Sequence, residues 1–217
     1  MLPYTHLFFD LDGTLTDPGL GITNAVTYAL RQFGIEVPDR RTLYPFIGPP
    51  LIESFAEFYG FDPEQCRAAV RHYRVYYGET GLFENEVYPA YPALLDRLRD
   101  AGYRLAIATS KPEHFARRIA EHFGFADRFD YVAGAAMNET RLKKAEVIRY
   151  ALDTLGLDDP AKVLMIGDRR HDVLGAKECG LDCAGVLYGY GDRAELEAAG
   201  ARYVVETAEE LGELLLS

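Results

Sequence analysis

The sequence predicts an α/β fold in which a doubly wound parallel sheet is interrupted by an inserted helical domain. From about residue 88 onward, short apolar runs alternate with amphipathic helical stretches, a pattern typical of strands buried on both faces of a sheet. Residues 18–85 break this alternation and carry apolar residues only at helical spacing. The length of 217 residues suffices for one substantial α/β domain with a small accessory one.

Six runs predict the strands of the sheet. Each is three to five residues long and almost continuously apolar, and helical patterns such as Leu94, Leu95 and Leu98 lie between the later ones. The alternation of strand and helix predicts a doubly wound arrangement. The predicted strands are residues 7–9, 105–109, 131–133, 163–166, 184–187 and 203–205.

The inserted segment follows the first strand. Its helical repeats are Ile22-Val26-Leu30-Phe33, Ile52-Phe55-Phe58-Tyr59 and Cys66-Val70-Tyr73-Tyr77, and five prolines separate or begin these pieces. We therefore predict an α/β core of residues 1–17 and 86–217 with a helical domain of residues 18–85. An insertion at this point lies over the carboxyl ends of the strands, where open α/β sheets bind ligands.

Composition excludes several classes of function. The formal net charge of −11 disfavours binding to nucleic-acid polymers or anionic membranes, and no window is apolar enough to span a bilayer. Residues 1–6 lack a basic region followed by an apolar stretch, so we expect a cytoplasmic protein. Three cysteines disfavour a disulfide framework. The expected partner is a small molecule, bound by a monomer or a dimer.

The first candidate motif comes directly after the first strand. Asp10 and Asp12 stand two residues apart and project in a similar direction, and Gly13 permits a tight turn. Two adjacent carboxylates need a compensating cation or a shared proton, and a hard metal such as Mg²⁺ takes oxygen ligands. The alternative is that Asp-Gly forms only a turn.

Three further segments carry candidate residues, two where predicted strands end and one at a predicted helix start. Gly167-Asp168 follows one strand, with Asp172 four residues later; the alternative is that these acids only favour the start of a helix. Thr109 and Ser110 end another strand and offer donors for a phosphate, or form a helix cap. Lys143 and Lys144 stand at a helix start, where cations oppose the helix dipole, which indicates a functional lysine.

Together these motifs resemble the haloacid dehalogenase superfamily of phosphatases over nearly the whole chain. Asp10-x-Asp12-Gly13-Thr14 is similar to the first motif of that family and Thr109 to the second. Lys144, or its neighbour Lys143, is similar to the third motif, and Gly167-Asp168 with Asp172 to the fourth. The resemblance implies a Rossmann-like core with a helical cap.

The resemblance also implies a role for each residue. Asp10 would attack phosphorus and form an aspartyl-phosphate, and Asp12 would act as general acid and base. The phosphoryl group would be bound by Thr109 and Lys144, and Gly13, Thr14 and Ser110 would also contact the substrate. Mg²⁺ would be held by Asp10, the backbone carbonyl of Asp12, and Asp168, with Asp172 nearby.

Further segments resemble the phosphoglycolate phosphatase or 5′-nucleotidase-like subgroup. They include Gly21-Ile-Thr-Asn24, Leu82-Phe83-Glu84-Asn85 and Gly189-Tyr190-Gly191. The resemblance also implies that the stiff loop Ile47-Gly48-Pro49-Pro50 helps to select the substrate. The expected substrate is phosphoglycolate or a nucleoside 5′-monophosphate. The alternatives are a sugar phosphomutase with the same motifs, or a non-catalytic protein that binds a phosphorylated ligand.

Overall fold

The computed structural model describes residues 2–137 and 140–217. The strands are β1 (His6–Phe9), β2 (Thr16–Asp17), β3 (Glu86–Val87), β4 (Arg104–Pro112), β5 (Tyr131–Ala135), β6 (Val163–Gly167), β7 (Asp182–Val186) and β8 (Tyr203–Val205). The α-helices are α1 (Gly19–Arg31), α2 (Leu51–Tyr59), α3 (Pro63–Tyr76), α4 (Tyr91–Asp100), α5 (Glu113–His122), α6 (Lys144–Leu155), α7 (Arg170–Glu178), α8 (Arg193–Ala199) and α9 (Ala208–Leu216). Within the described ranges, no helix has the length and apolar character needed to cross a membrane.

The predicted α/β sheet is confirmed. Six strands form one parallel sheet in the order β5-β4-β1-β6-β7-β8, and every predicted run overlaps one of them. The strands are buried because helices that alternate with them cover the sheet; Val147, Ile148 and Ala151 of α6, for example, belong to the same apolar cluster as Phe8. The chain order β1-β4-β5 runs to one edge and β6-β7-β8 to the other.

This topology determines where the candidate residues lie. β1 is central, and its last residue, Phe9, pairs with Ile107 of β4 and Ile166 of β6. The residues that follow these three positions therefore meet at the edge of the sheet formed by the carboxyl ends of its strands, here called the carboxyl edge. They lie at the point where the strand order reverses. Asp10, Thr109 and Asp168 are all in this group, although they are up to 158 residues apart in the sequence.

The chain forms two compact units, each with more contacts within itself than with the other. One consists of residues 1–16 and 87–217, and the other of residues 17–86. Each division lies one residue from a predicted boundary. The divisions fall within β2 and β3, which form a separate two-stranded sheet. Strands of two residues have no periodicity that a sequence pattern can reveal, and neither was predicted.

The unit of residues 17–86 is helical. It contains α1, α2 and α3 together with a 3-10 helix (Arg40–Phe46) and a π-helical turn (Tyr77–Gly81). The start of α3 follows from its sequence: Pro63 occupies the first turn, and the Asp62 carboxylate accepts the backbone N–H groups of Glu64 and Gln65 at 2.8 and 2.9 Å. Phe46 packs edge-on against Phe55, with ring centroids 5.1 Å apart.

Candidate active site

Asp10 and Asp12 lie at the centre of the carboxyl edge. The backbone N–H of Asp10 donates to the Ile166 carbonyl at 2.8 Å, which continues the pairing of β1 with β6 by one residue. The chain then turns sharply, and Gly13 adopts a φ of +80° that favours glycine. A Cβ atom on Gly13 would overlap the carboxylate of Asp168. The Asp-Gly turn is therefore real, and it also allows a second acid to approach.

Three carboxylates come together at this point. Asp10, Asp168 and Asp172 each offer an oxygen, and the three oxygens lie within 4.8 Å of one another. All three residues are buried. Asp172 belongs to the first turn of α7, and its Oδ2 accepts the Arg169 backbone N–H at 3.1 Å. The acid thus both caps the helix and contributes to the cluster.

The electrostatics of the cluster favour a bound cation. Burial, followed by the nearby charges of Asp172 and Asp10, raises the pKa of Asp168 well above its usual range. Burial likewise raises the pKa of Asp172 to about 6, although Lys144 opposes this shift. A divalent cation would offset these buried charges, and a set of three carboxylate oxygens suits Mg²⁺. The residues present therefore fit the predicted metal.

Lys144 is the cation that the structure places in the cluster. Its Nζ lies 2.8 Å from Asp10 Oδ1 and 2.7 Å from Asp172 Oδ1, and it donates to the Ala108 carbonyl at 3.0 Å. Burial acts to lower the pKa of Lys144, but the two carboxylates outweigh burial and raise it. Lys143 is exposed. Of the two candidate lysines, only Lys144 therefore faces the acids.

Asp12 has a different partner, which sequence reasoning missed. Its Oδ2 lies 2.6 Å from Lys111 Nζ, and both side chains are largely buried. Burial raises the pKa of Asp12 even though Lys111 acts to lower it. Since β4 extends to Pro112, Thr109 and Lys111 are both buried while Ser110 between them is half-buried. The same two-residue alternation that singled out Asp10 and Asp12 could have identified Lys111.

The other predicted residues have mixed surroundings. Thr109 is buried at the end of β4, and its Oγ1 accepts the Lys111 N–H at 3.2 Å. The hydroxyl of Thr14 is fully buried and donates to Asp168 Oδ1 at 3.4 Å, which supports the carboxylate and does not favour the predicted contact of this side chain with substrate. Gly48 and Pro49 belong to the helical unit, just before α2, and are half-exposed.

The resemblance implies that Asp12 is the general acid of a phosphatase, and a well-placed general acid contributes about 10²- to 10⁴-fold. With that role, replacement of Lys111 by Met is expected to lower the rate of phosphate release by up to about 10²-fold, because Asp12 loses the cation that orients its carboxylate. Steady-state kinetics with a phosphomonoester would measure the change. The matched control is Lys177→Met, since Lys177 is exposed on α7. Equal rates for the two variants would contradict a role for Lys111.

Comparison with known proteins finds relatives that match most of this chain. The model of the haloacid dehalogenase-like hydrolase family matches residues 7–186. A 5′-nucleotidase of Pseudomonas aeruginosa is 49% identical over 91% of this chain and 89% of its own length. The tyrosine-protein kinase PtkA of Mycobacterium tuberculosis is 39% identical over 96% of this chain and 70% of its own length.

Solved structures support the same relationship. The crystal structure of a predicted phosphatase from Clostridium acetobutylicum superimposes with a TM-score of 0.95 at 45% identity, and the match covers 100% of this chain and 99% of that one. The fold, the order of the motifs and the matched family model are mutually consistent. This chain therefore belongs to the haloacid dehalogenase-like hydrolases and is a phosphatase.

Proposed function

We propose that this phosphatase hydrolyses a nucleoside 5′-monophosphate through an aspartyl-phosphate on Asp10, with Mg²⁺ as its cofactor. The observation that carries the proposal is the buried group of Asp10, Asp168 and Asp172, in which Lys144 forms ion pairs with Asp10 and Asp172. The nucleotide is favoured over phosphoglycolate because the 5′-nucleotidase of P. aeruginosa is 49% identical, whereas a phosphoglycolate phosphatase of Rhodospirillum rubrum is 31% identical.

The chemistry proceeds in two steps. In the first, an oxygen of Asp10 attacks phosphorus, the bond from phosphorus to the nucleoside oxygen breaks, and that oxygen takes a proton from Asp12. In the second, Asp12 takes a proton from water, the resulting hydroxide attacks phosphorus, and the bond to Asp10 breaks. Inorganic phosphate and the original carboxylate of Asp10 are the products. The raised pKa of Asp12 suits the proton donation that the first step requires.

Besides proton transfer by Asp12, the reaction requires that the negative charges of Asp10 and the phosphoryl group be offset. Asp10 must approach a dianionic phosphoryl group although it already shares a buried site with two other acids. Lys144 offsets the charge of Asp10 through its 2.8 Å ion pair, and Lys144 and Thr109 would bind the phosphoryl oxygens. Mg²⁺, held by Asp10, the backbone carbonyl of Asp12, and Asp168, with Asp172 nearby, would supply additional positive charge to the phosphoryl group.

The helical unit is proposed to act as a cap. We infer that Gly48 and Pro49 help to select the substrate, since glycine at a φ of +104° followed by two prolines makes a stiff and partly exposed loop. Movement of this unit would gate turnover, with Asp17–Leu20 and residues 83–88 as hinges. Crystal forms with and without a phosphate mimic would test the movement, and one identical cap position in both would contradict it.

Phosphate release from a panel of monoesters tests the proposed function. The panel holds nucleoside 5′-monophosphates, phosphoglycolate and sugar phosphates, each with Mg²⁺ and with chelator. We expect release that requires the metal and is fastest with a nucleotide. A preference for phosphoglycolate would overturn the substrate assignment but retain the mechanism. Isomerised sugar phosphate without released phosphate would indicate a mutase.

One relative adds an arm to this experiment. Because PtkA is named a tyrosine-protein kinase, the panel also includes ATP with a tyrosine-containing peptide. Transfer of phosphate to the peptide in preference to water would favour a kinase. Binding of phosphorylated ligands without any turnover would favour the non-catalytic alternative.

A further inference from the structure

The loop of residues 188–191 lies against both the turn at Gly13 and the side chain of Asp168. The Tyr190 backbone N–H donates to Asp168 Oδ2 at 2.7 Å, while the Thr14 hydroxyl approaches Oδ1 at 3.4 Å. Asp168 itself is 1% exposed, so protein groups rather than solvent determine the direction of its carboxylate. A backbone donor is stiffer than a side chain, provided that the loop itself is held in place.

Two glycines allow the loop to come this close. A Cβ atom on Gly189 would overlap the carbonyl oxygen of Gly13 together with Cβ and Oδ2 of Asp168. A Cβ atom on Gly191 would overlap the carbonyl oxygen of Asp168. Neither glycine has a positive φ in the range that disfavours other residues. Glycine is therefore required at these positions for space, because any side chain would move the loop away from Asp168.

Three tyrosines connect the loop to the core of the same unit. The Tyr88 hydroxyl donates to the Tyr188 carbonyl at 3.2 Å, and the hydroxyls of Tyr91 and Tyr188 are hydrogen-bonded to each other. Tyr91 is fully buried, and its ring packs edge-on against Phe9 with the centroids 6.0 Å apart. Phe9 immediately precedes Asp10. A continuous set of contacts thus joins the strand end that carries Asp10 to the loop that contacts Asp168.

We propose that the loop of residues 188–191 is a positioning element for the metal-binding carboxylate of Asp168, and that Tyr88 and Tyr91 hold the loop in place. The inference rests on the proposed function, which assigns Asp168 to Mg²⁺. Asp168 is surrounded by the like charges of Asp10 and Asp172. Without fixed donors, repulsion would turn its carboxylate away from the others before a cation binds. Groups that orient a ligand in this way typically change metal affinity when removed.

Calorimetric titration of the substrate-free protein with Mg²⁺ tests the proposal without reference to activity. For Gly191→Ala we expect the dissociation constant of Mg²⁺ to rise by about 10- to 100-fold. For Tyr88→Phe and Tyr91→Phe, which remove one hydroxyl each, a rise of about 3- to 10-fold is expected. In the two Phe variants, excess Mg²⁺ should restore kcat/KM, because these substitutions lower only the fraction of protein that has Mg²⁺ bound.

The matched control is Tyr103→Phe. Its hydroxyl also donates to a backbone carbonyl, that of Leu215 at 2.7 Å, but Tyr103 precedes β4 at the opposite edge of the sheet. Tyr103→Phe should therefore lower thermal stability without changing Mg²⁺ affinity. If Gly191→Ala does not fold, the Mg²⁺ affinities of the two Phe variants alone test the proposal. Folded Phe variants that bind Mg²⁺ within twofold of the wild type would overturn the proposal.

A further variant separates this proposal from the proposed function. Asp168→Asn should abolish Mg²⁺ binding. If it does so while the loop variants bind Mg²⁺ as the wild type does, only the role of the loop is overturned. A wild-type protein that binds no Mg²⁺ would overturn the metal assignment and with it the role of the loop.

Discussion

Replacement of Asp10 by Asn is expected to lower phosphate release by at least about 10⁴-fold, because the amide oxygen does not act as the nucleophile, and loss of a covalent nucleophile typically has effects of this size or larger. The substitution changes one atom of a residue at the end of the central strand, so the fold should be retained. Steady-state release of phosphate with saturating Mg²⁺ and a nucleoside 5′-monophosphate would measure the loss.

The same variant should not lose stability when metal is absent. Asp10 shares its buried site with Asp168 and Asp172, and its charge contributes to the raised pKa of both. A neutral Asn relieves this repulsion, and Lys144 keeps its 2.7 Å pair with Asp172. Chemical denaturation with chelator should therefore give a free energy of unfolding equal to or above that of the wild type.

The control for Asp10→Asn is Asp100→Asn, which makes the same change at an exposed position at the end of α4. It should retain wild-type activity. Full activity of Asp10→Asn would show that Asp10 is not the nucleophile. An inactive Asp10→Asn protein that is also much less stable than the wild type would contradict the repulsion described for the three acids.

Lys144→Met is expected to reduce both activity and stability. The change keeps an unbranched chain of similar length but leaves Asp10 and Asp172 without their shared cation. Removal of one partner from a buried ion pair typically costs about 3–5 kcal/mol of unfolding free energy. Denaturation in chelator should show this loss. Release of phosphate should fall by about 10²-fold or more, as for loss of a group that stabilises transition-state charge.

The adjacent lysine provides a matched control. Lys143→Met removes the same charge one residue earlier, but from an exposed side chain, and surface substitutions usually change stability by less than about 0.5 kcal/mol. Its activity should match that of the wild type. Loss of activity in Lys143→Met with retention in Lys144→Met would reverse the assignment. Mg²⁺ should restore part of the stability of Lys144→Met, since the cation offsets the same acids.

Much of the fold could be read from local patterns. Short apolar runs such as 163–166 predicted strands correctly because a strand buried on both faces needs apolar side chains on both. The pattern did not predict the last residues of β4, since Ser110, Lys111 and Pro112 are not apolar. Their strand conformation depends on pairing with β5, where Pro112 pairs with Ala135 after an irregularity in the register. That pairing is not visible in the segment itself.

The sequence allowed prediction of those candidate site residues that lie directly at or after the end of a strand. Asp10, Thr109 and Asp168 each occupy such a position, and parallel strands bring their carboxyl ends to one edge. The four motifs also fall in the order typical of the family. Alternation along β4 could have identified Lys111 as a residue of the site, but not its pairing with Asp12, which is 99 residues away. The role of the loop around Gly189 was missed for the same reason, since the contact of Tyr190 with Asp168 joins residues 22 apart.

The strands, the helical insertion, the acidic motifs and the family resemblance could all be predicted before the structure, because each depends on residue types at short spacing. Three features could be recognised only from contacts between distant segments: which of Lys143 and Lys144 faces the acids, which cation pairs with Asp12, and why glycine is needed at Gly189 and Gly191. The physical reason is common to all three. The direction of a side chain at a helix start depends on how that helix packs on the sheet, and a buried ion pair or a close backbone approach exists only when segments distant in sequence are in contact.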